Sequence, residues 1–509
     1  MKTLVLLLTV NILRGWRRLL EIHDGSMRLL YLPGMESWRW NIGKWKAGFV
    51  FWRAAHRTPA YQQFLAHHGV QGLPWRGLVP DVAALPIMDK ENYVKAYPLA
   101  ARCLGGAVPV GGVIIDESSG SSGAATNWAR SRAERRANKR MLEFGLHSLL
   151  GPGPHFILNA FAMGPWATGV NITMALTDIS TLKSLGPDVP KIVNTLREFG
   201  PGHQYVIMGY PPFLKLLVDS AGLDWFQYQV TMIYGGEGMS EKMRTYLLNR
   251  GIRRVYGSLG ASDLELNLAA ENDFTIALRR ELLVNEALAA RLVKYPGALP
   301  VLFQFNPADF HMESTATDEL VITLCRPTYL SPKIRYNLHD RGHIIRFPEL
   351  KRHLAAVGLT PHDLCPTHTD LPLLLHYGRA DMTVAYFGCK LTPADVQEAI
   401  LGLPLLAGIV SSFTLLTPED DNATKQLRVC LEIREALLAT DLPELQTAFF
   451  AELRRLNQDF RESWRMIPQG QQPQLQVFAT GTGPFAGQDM RIKHRYIQPP
   501  ATPYYPKSA

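Results

Sequence analysis

The sequence predicts an α/β protein in two parts: a large N-terminal domain of layered sheets and helices, and a small C-terminal α+β domain. Three observations lead there. The chain has 509 residues, too many for one ordinary hydrophobic core. Short apolar runs alternate with helical patterns along most of it, the pattern of helices laid over sheets. After Asp381 the composition resets and a new strand–helix series begins. The expected boundaries are 1–380 for the large domain, 381–497 for the small one, and 498–509 for an irregular, proline-rich tail.

The elements follow in order. Val113-Ile114-Ile115 is an apolar strand segment. Arg132 to Leu150 is a helix, with Ala133, Ala137, Met141 and Phe144 at helical spacing. Leu320 to Leu324 alternates as a strand. In the small domain Thr383 to Phe387 is strand-like, and Thr392 caps a helix whose first position, Pro393, needs no amide hydrogen. A second long helix carries Leu445, Phe449, Leu453, Leu456 and Phe460 on one stripe.

Composition narrows the class. A content of 47% hydrophobic, 10% aromatic and 19% charged residues is that of a globular protein. The net charge of +8 suits an anionic ligand or surface. Its densest run, Arg130 to Arg140, falls on the predicted helix and reads as a solvated face, so no nucleic-acid partner is expected. Cys103, Cys325, Cys365, Cys389 and Cys430 stand singly, without zinc spacing, and point to a reducing, cytoplasmic setting. The N-terminal run Leu4 to Val10 is short, is interrupted by Asn11 and has no small-residue cleavage site after it, which favours a cytosolic start. Ile12, Trp16, Leu19 and Leu20 beside Arg14, Arg17 and Arg18 also fit an amphipathic helix in weak contact with a membrane surface.

The strongest chemical signal is Asp116-Glu-Ser-Ser-Gly-Ser-Ser-Gly-Ala-Ala-Thr126. Glycines let backbone N–H groups approach an anion, and Ser118, Ser119, Ser121, Ser122 and Thr126 add hydroxyl donors around Gly120 and Gly123. Composition alone would suit a flexible linker. The expected strand before it and helix after it favour a phosphate loop in a βα unit.

With this loop the sequence resembles the adenylate-forming acyl-CoA synthetase superfamily, and within it the phenylacetate-CoA ligase-like branch. Leu85-Pro-Ile-Met-Asp-Lys-Glu-Asn-Tyr93 resembles the segment before the family's phosphate loop. Gly235-Gly236-Glu237-Gly-Met-Ser240 is similar to the loop bordering adenine, and Gly260-Ala-Ser262-Asp263 to the Gly-x-Ser/Thr-acid motif. Ile334 to Asp340 resembles the ribose-binding segment, and Tyr377-Gly-Arg379-Ala-Asp381 the hinge. The matches keep the family's order from about Pro59 to Ile497.

The resemblance implies an ATP-dependent ligase with a large adenylate-forming domain and a small mobile one. Such an enzyme activates a small, apolar or aryl carboxylic acid as acyl-AMP and passes it to CoA, or to an amine or carrier-protein thiol. An inert nucleotide-binding or regulatory homologue is the alternative of another class. ATP, Mg²⁺ and CoA are the implied partners. Two anions must meet, so cations and N–H donors are needed. Ser262 and Asp263 would serve catalysis, Asp263 also holding Mg²⁺ by oxygen. Asp340 has two acceptor oxygens for ribose hydroxyls, although alone it would read as a structural partner of Arg335 or Arg341. Arg379 would approach ribose or phosphate, and Asp381 would be the pivot. Trp166 and Tyr210, with Gly235, are the implied acid pocket.

The pattern also departs from the family. Leu259 stands where relatives have a tyrosine beside adenine; a competing register through Tyr256-Gly257 has no acid three residues on. Ala124-Ala125 lacks the lysine that follows the loop in relatives. The C-terminal glycine–lysine motif is missing, and Lys493, in Arg491-Ile-Lys-His-Arg-Tyr496, is the expected catalytic lysine because Lys425 and Lys507 look poorly placed.

Overall fold

The structure, a computed structural model, describes residues 1–118, 126–295, 299–379, 384–433 and 442–486. A short hairpin, β1 (Trp75–Arg76) and β2 (Val79–Pro80), precedes a longer one, β3 (Val113–Ser118) and β4 (Thr126–Ser131). The centre of the molecule is an eleven-stranded mixed sheet. Its members are β5 (His155–Asn159), β6 (Ser180–Ser184), β7 (Gln204–Gly209), β8 (Gln229–Gly235), β9 (Arg254–Leu259), β10 (Ala269–Ala270), β11 (Val301–Gln304), β12 (Phe310–Ser314), β13 (Glu319–Leu324), β14 (Tyr336–Ile345) and β15 (Leu373–Arg379).

The order β12-β13-β14-β15-β11-β10-β9-β8-β7-β5-β6 divides the sheet in two. From β6 to β9 the strands are parallel. Helices at Ala167–Leu176, Val189–Phe199, Pro211–Ser220 and Glu241–Asn249 make the crossovers. Because helices cover both faces, successive strand residues enter different cores. Phe156, Leu158, Tyr205 and Ile207 pack on one side, and Ile157, Val206 and Met208 on the other. From β10 to β15 every pairing is antiparallel.

The small domain begins its described part with the hairpin β16 (Val384–Tyr386) and β17 (Cys389–Leu391). A three-stranded sheet of β18 (Val410–Leu416), β19 (Arg428–Ile433) and β20 (Gln474–Ala479) follows. Thr392 caps the helix Pro393–Leu401 through a capping box with Asp395, as its sequence requires.

Three expectations need correction. The glycine/serine loop does not join a strand to a helix: Ser118 pairs with Thr126 across an antiparallel hairpin, so β4 separates the loop from the helix Arg132–Leu150. Arg130 belongs to β4 and is buried, not part of a solvated helix face. The second long helix is two, Leu442–Leu456 and Gln458–Trp464. It breaks at Asn457, which leaves helical geometry to cap the second piece; the buried side chain accepts from Phe460 N–H at 2.9 Å. Its amide donates to the Lys390 carbonyl (3.0 Å) and to Asp395 (3.2 Å). An apolar stripe reports the shared face and is blind to such a break.

Candidate active site

Because β5, β7, β8 and β9 are parallel, their carboxyl ends share one edge, where ligands bind open α/β sheets. Phe161, Tyr210, Gly235-Gly236-Glu237 and Gly260 follow these ends directly. The glycines are steric requirements. A Cβ on Gly236, at φ +80°, would stand 2.7 Å from the Tyr210 ring, and one on Gly260 would stand 2.1 Å from the Leu266 carbonyl. Tyr210 also meets Phe161 edge-on at 5.3 Å. Among the described residues Trp166 makes no ring contact with this group: it precedes the helix Ala167–Leu176, and its backbone bridges to Glu117 near the loop end of the β3–β4 hairpin.

Arg130 fixes the turn that carries Ser262 and Asp263. Its guanidinium donates to the Ser262 and Leu264 carbonyls and pairs with Asp116 (3.2 Å) and Glu134 (3.2 Å). Asp263 accepts from the Tyr336 hydroxyl at 2.7 Å. Around it are cations that the sequence reading missed. Lys333 is 2% exposed. Burial, then the charges of Arg102 and Arg130, push its pKa down to about 7. Lys333 and Arg102 lie over the Trp128 ring, at 4.7 and 5.5 Å. Arg102 Nε and Nη1 and Trp128 Nε1 are buried donors without an acceptor among the described residues. Buried polar groups nearly always find partners, so three orphan donors together call for an acceptor.

Asp340 lies across from Arg379 in the β14–β15 ladder. It accepts from Arg379 Nη1 and His376 Nε2, both at 3.2 Å. Arg335 is engaged instead by Glu313, and Arg341 stacks over Tyr295, so neither is its partner. Burial raises the Asp340 pKa, but His376, Arg379 and Lys390 outweigh it and hold the carboxyl at about 2. The preceding His339 is left-handed, at φ +57°, with its N–H held by Asn337 at 2.8 Å.

The small domain closes over these groups. Glu237, a buried carboxylate, accepts from Gly388 N–H (2.7 Å) and Lys425 Nζ (3.2 Å). Lys425, set aside from the sequence as poorly placed, thus reaches the site. On the same hairpin as Gly388, Lys390 acts on both Asp340 and Asp459. Burial carries Asp459 up to about 7 against the opposing charges of Lys390 and Lys90. The Tyr256 hydroxyl donates to Asp273 at 2.7 Å. Ser119 to Gly123, Asp381 and Lys493 lie outside the described residues, as does the side chain of Ser118.

No family model matches the sequence, and no curated protein matches it either. Solved structures do. A 2-hydroxyisobutyryl-CoA ligase in complex with 2-HIB-AMP and CoA, in the thioesterification state, is similar over 92% of this chain and 91% of that one, with TM-score 0.62 and 14% identity. The chain has the fold of an adenylate-forming ligase. The same ligase in the postadenylation state, with R3-HIB-AMP, covers the same shares at 14% identity and TM-score 0.51.

Within this ligase fold His376, Arg102, Lys333 and Lys425 carried little sequence signal. His376 stands in an apolar strand, Lys333 follows a proline, and Arg102 and Lys425 lie in irregular segments. Only the fold brings them to the rim.

Proposed function

We propose that this protein is an AMP-forming carboxylate ligase, akin to the phenylacetate-CoA ligase-like branch. It activates a small apolar or aryl acid with ATP and transfers the acyl group to CoA. The observation that carries the reading is the group of desolvated donors at Arg102, Trp128 and Lys333 beside Asp263, next to the hairpin that bears the glycine/serine loop. Adenylation needs such donors: a carboxylate oxygen attacks the α-phosphorus, pyrophosphate leaves, and the negative charge shared by both must be offset.

Ser118 to Gly123 would hold the phosphates, with Gly236 and Glu237 bordering the base and Asp340 and Arg379 the ribose. Asp340 suits that role because it is held ionised, and because its donors, His376 and Arg379, can give way to hydroxyl groups. Asp263 fits Mg²⁺ in the mode of one carboxylate plus phosphate oxygens; its second oxygen is only 3.5 Å from the Ser262 hydroxyl, a weak contact. Mg²⁺ would offset phosphate charge there. Tyr210 and Gly235 would line the acid pocket, with Phe161 beside them and Trp166 further out. Lys493 is the proposed cation of the first step and Asp381 the proposed pivot. Transfer to CoA, rather than to an amine or carrier protein, is favoured by the similarly folded ligase, whose complex holds 2-HIB-AMP and CoA.

The test is carboxylate-dependent exchange of labelled pyrophosphate into ATP over a panel of aryl, alkyl and amino acids, followed by acceptor assays with CoA, amines and carrier protein. Exchange with one acid class and thioester formation are expected. Nucleotide binding with no exchange for any acid would sink the ligase reading in favour of an inert homologue.

A further inference from the structure

The helix Lys2–Leu20 is apolar on two opposite sides, and only one of them is used by the protein. Leu6 and Val10 are buried against Phe49, with Leu7, Trp45, Trp52 and Trp75 around them. Arg17 pins the same face to the buried Asp309. Opposite, Leu4 (61% exposed), Leu8 (56%), Ile12 (60%), Trp16 (64%) and Leu19 (63%) form a continuous stripe facing outward. A water-facing helix surface is normally polar, so a stripe along about 25 Å of helix marks a contact.

Beside the stripe, Arg14 and Arg18 converge with Arg53 and Arg57 of the helix Glu36–Arg57 around a cavity of about 370 Å³. Phe49, Ala133, Pro327 and Thr328 complete its wall. Among the described residues no carboxylate forms an ion pair with any of the four. They act on one another: burial and then Arg18 depress the Arg14 pKa, and burial, Arg57 and Arg14 depress that of Arg53. The Thr328 hydroxyl in that wall is buried and has no hydrogen-bond partner among the described residues.

We propose that this face docks on a lipid bilayer containing anionic phospholipids, with the stripe Leu4-Leu8-Ile12-Trp16-Leu19 in the interface and a headgroup phosphate in the Arg14–Arg18–Arg53–Arg57 pocket. Apolar surface and uncompensated guanidinium groups on one face are the two signals that surface binding requires, and an indole suits the headgroup level. A second copy of the chain fits worse, because a twofold contact through this face would bring the arginine clusters together. A free polyphosphate would satisfy the arginines and leave the stripe unexplained. No helix among the described residues is long and apolar enough to cross a membrane, so the contact is with the surface.

Co-sedimentation of the full chain with phosphatidylcholine vesicles, with and without phosphatidylglycerol, tests this. Binding should be at least about tenfold tighter with phosphatidylglycerol and should weaken with salt. Leu8→Ser with Ile12→Ser should weaken it at least about tenfold, and glutamine at the four arginines about a thousandfold, by the usual gain per basic residue near an anionic surface. Brominated-chain lipids should quench the indole fluorescence of the parent protein and clearly less of it in Trp16→Phe, a variant that keeps an apolar ring. Three results would overturn the proposal. These are no sedimentation at low salt, binding of inorganic tripolyphosphate through the four arginines without vesicle binding, and self-association that Leu8→Ser with Ile12→Ser abolishes while vesicles are ignored.

Discussion

Lys333 shows what a single residue reveals about the site. An amine driven down to about 7 by burial is a cost, because the unfolded chain keeps its proton up to the ordinary value of 10.5. Between those values the unfolded state binds more protons, so stability rises with pH; the penalty is full below about 7 and gone near 10.5. Lys333→Met should therefore stabilise the protein at pH 6, on the order of 2 kcal/mol, and by little at pH 10. Thermal melts at the two pH values would read this, and an equal effect at both would reject the neutral amine. If the amine serves phosphate charge, the same variant should exchange pyrophosphate about a hundredfold more slowly. Asp340 is the opposite case, a carboxyl held at about 2. Asp340→Ala should raise the KM for ATP about tenfold or more and leave that for the acid nearly unchanged, since only ribose contacts would be lost. Equal effects in steady-state kinetics on both substrates would remove the ribose role.

Elements far apart in the chain are locked by small polar knots. Asp309, fully buried, pairs with Arg17 of the first helix, Lys46 of the helix Glu36–Arg57 and Arg326 after β13. Removing one partner from such a knot leaves unpaired buried charge, so Asp309→Asn should cost about 3–5 kcal/mol in urea denaturation. Arg17→Ala should also make the first helix an early site of proteolysis. Knots of this kind explain what the sequence told and withheld. The helix Arg132–Leu150 and the Thr392 cap were legible because spacing and capping are local. Gly236, Glu237, Gly260, Asp263, Asp340 and Arg379 were singled out through an ordered resemblance; Gly236, Glu237 and Gly260 follow the carboxyl ends of parallel strands, and Asp340 faces Arg379 across the β14–β15 ladder. Arg130 and Lys333 were not found, since a charged residue reads as exposed until its partners, more than a hundred residues away for Ser262, are known. The β3–β4 hairpin was missed because the polar β4 reads as the beginning of the helix.

At the scale of the molecule, one close approach between the domains leaves no room for a side chain. Gly388 sits at φ +83°, and a Cβ there would stand 2.9 Å from the Tyr210 ring. Gly388→Val should hold the hairpin off Tyr210 and Glu237. It should spare pyrophosphate exchange and slow the reaction of preformed acyl-AMP with CoA at least about tenfold. Normal transfer in rapid-quench assays would show that the docked hairpin is not the transfer geometry. Asn457 adds a mechanical consequence. By gripping the Lys390 carbonyl and Asp395 while capping the helix behind them, it welds the hairpin to the small domain's core. Any displacement of that core is thereby passed to Gly388 and Lys390 together, as from the body of a key to its teeth.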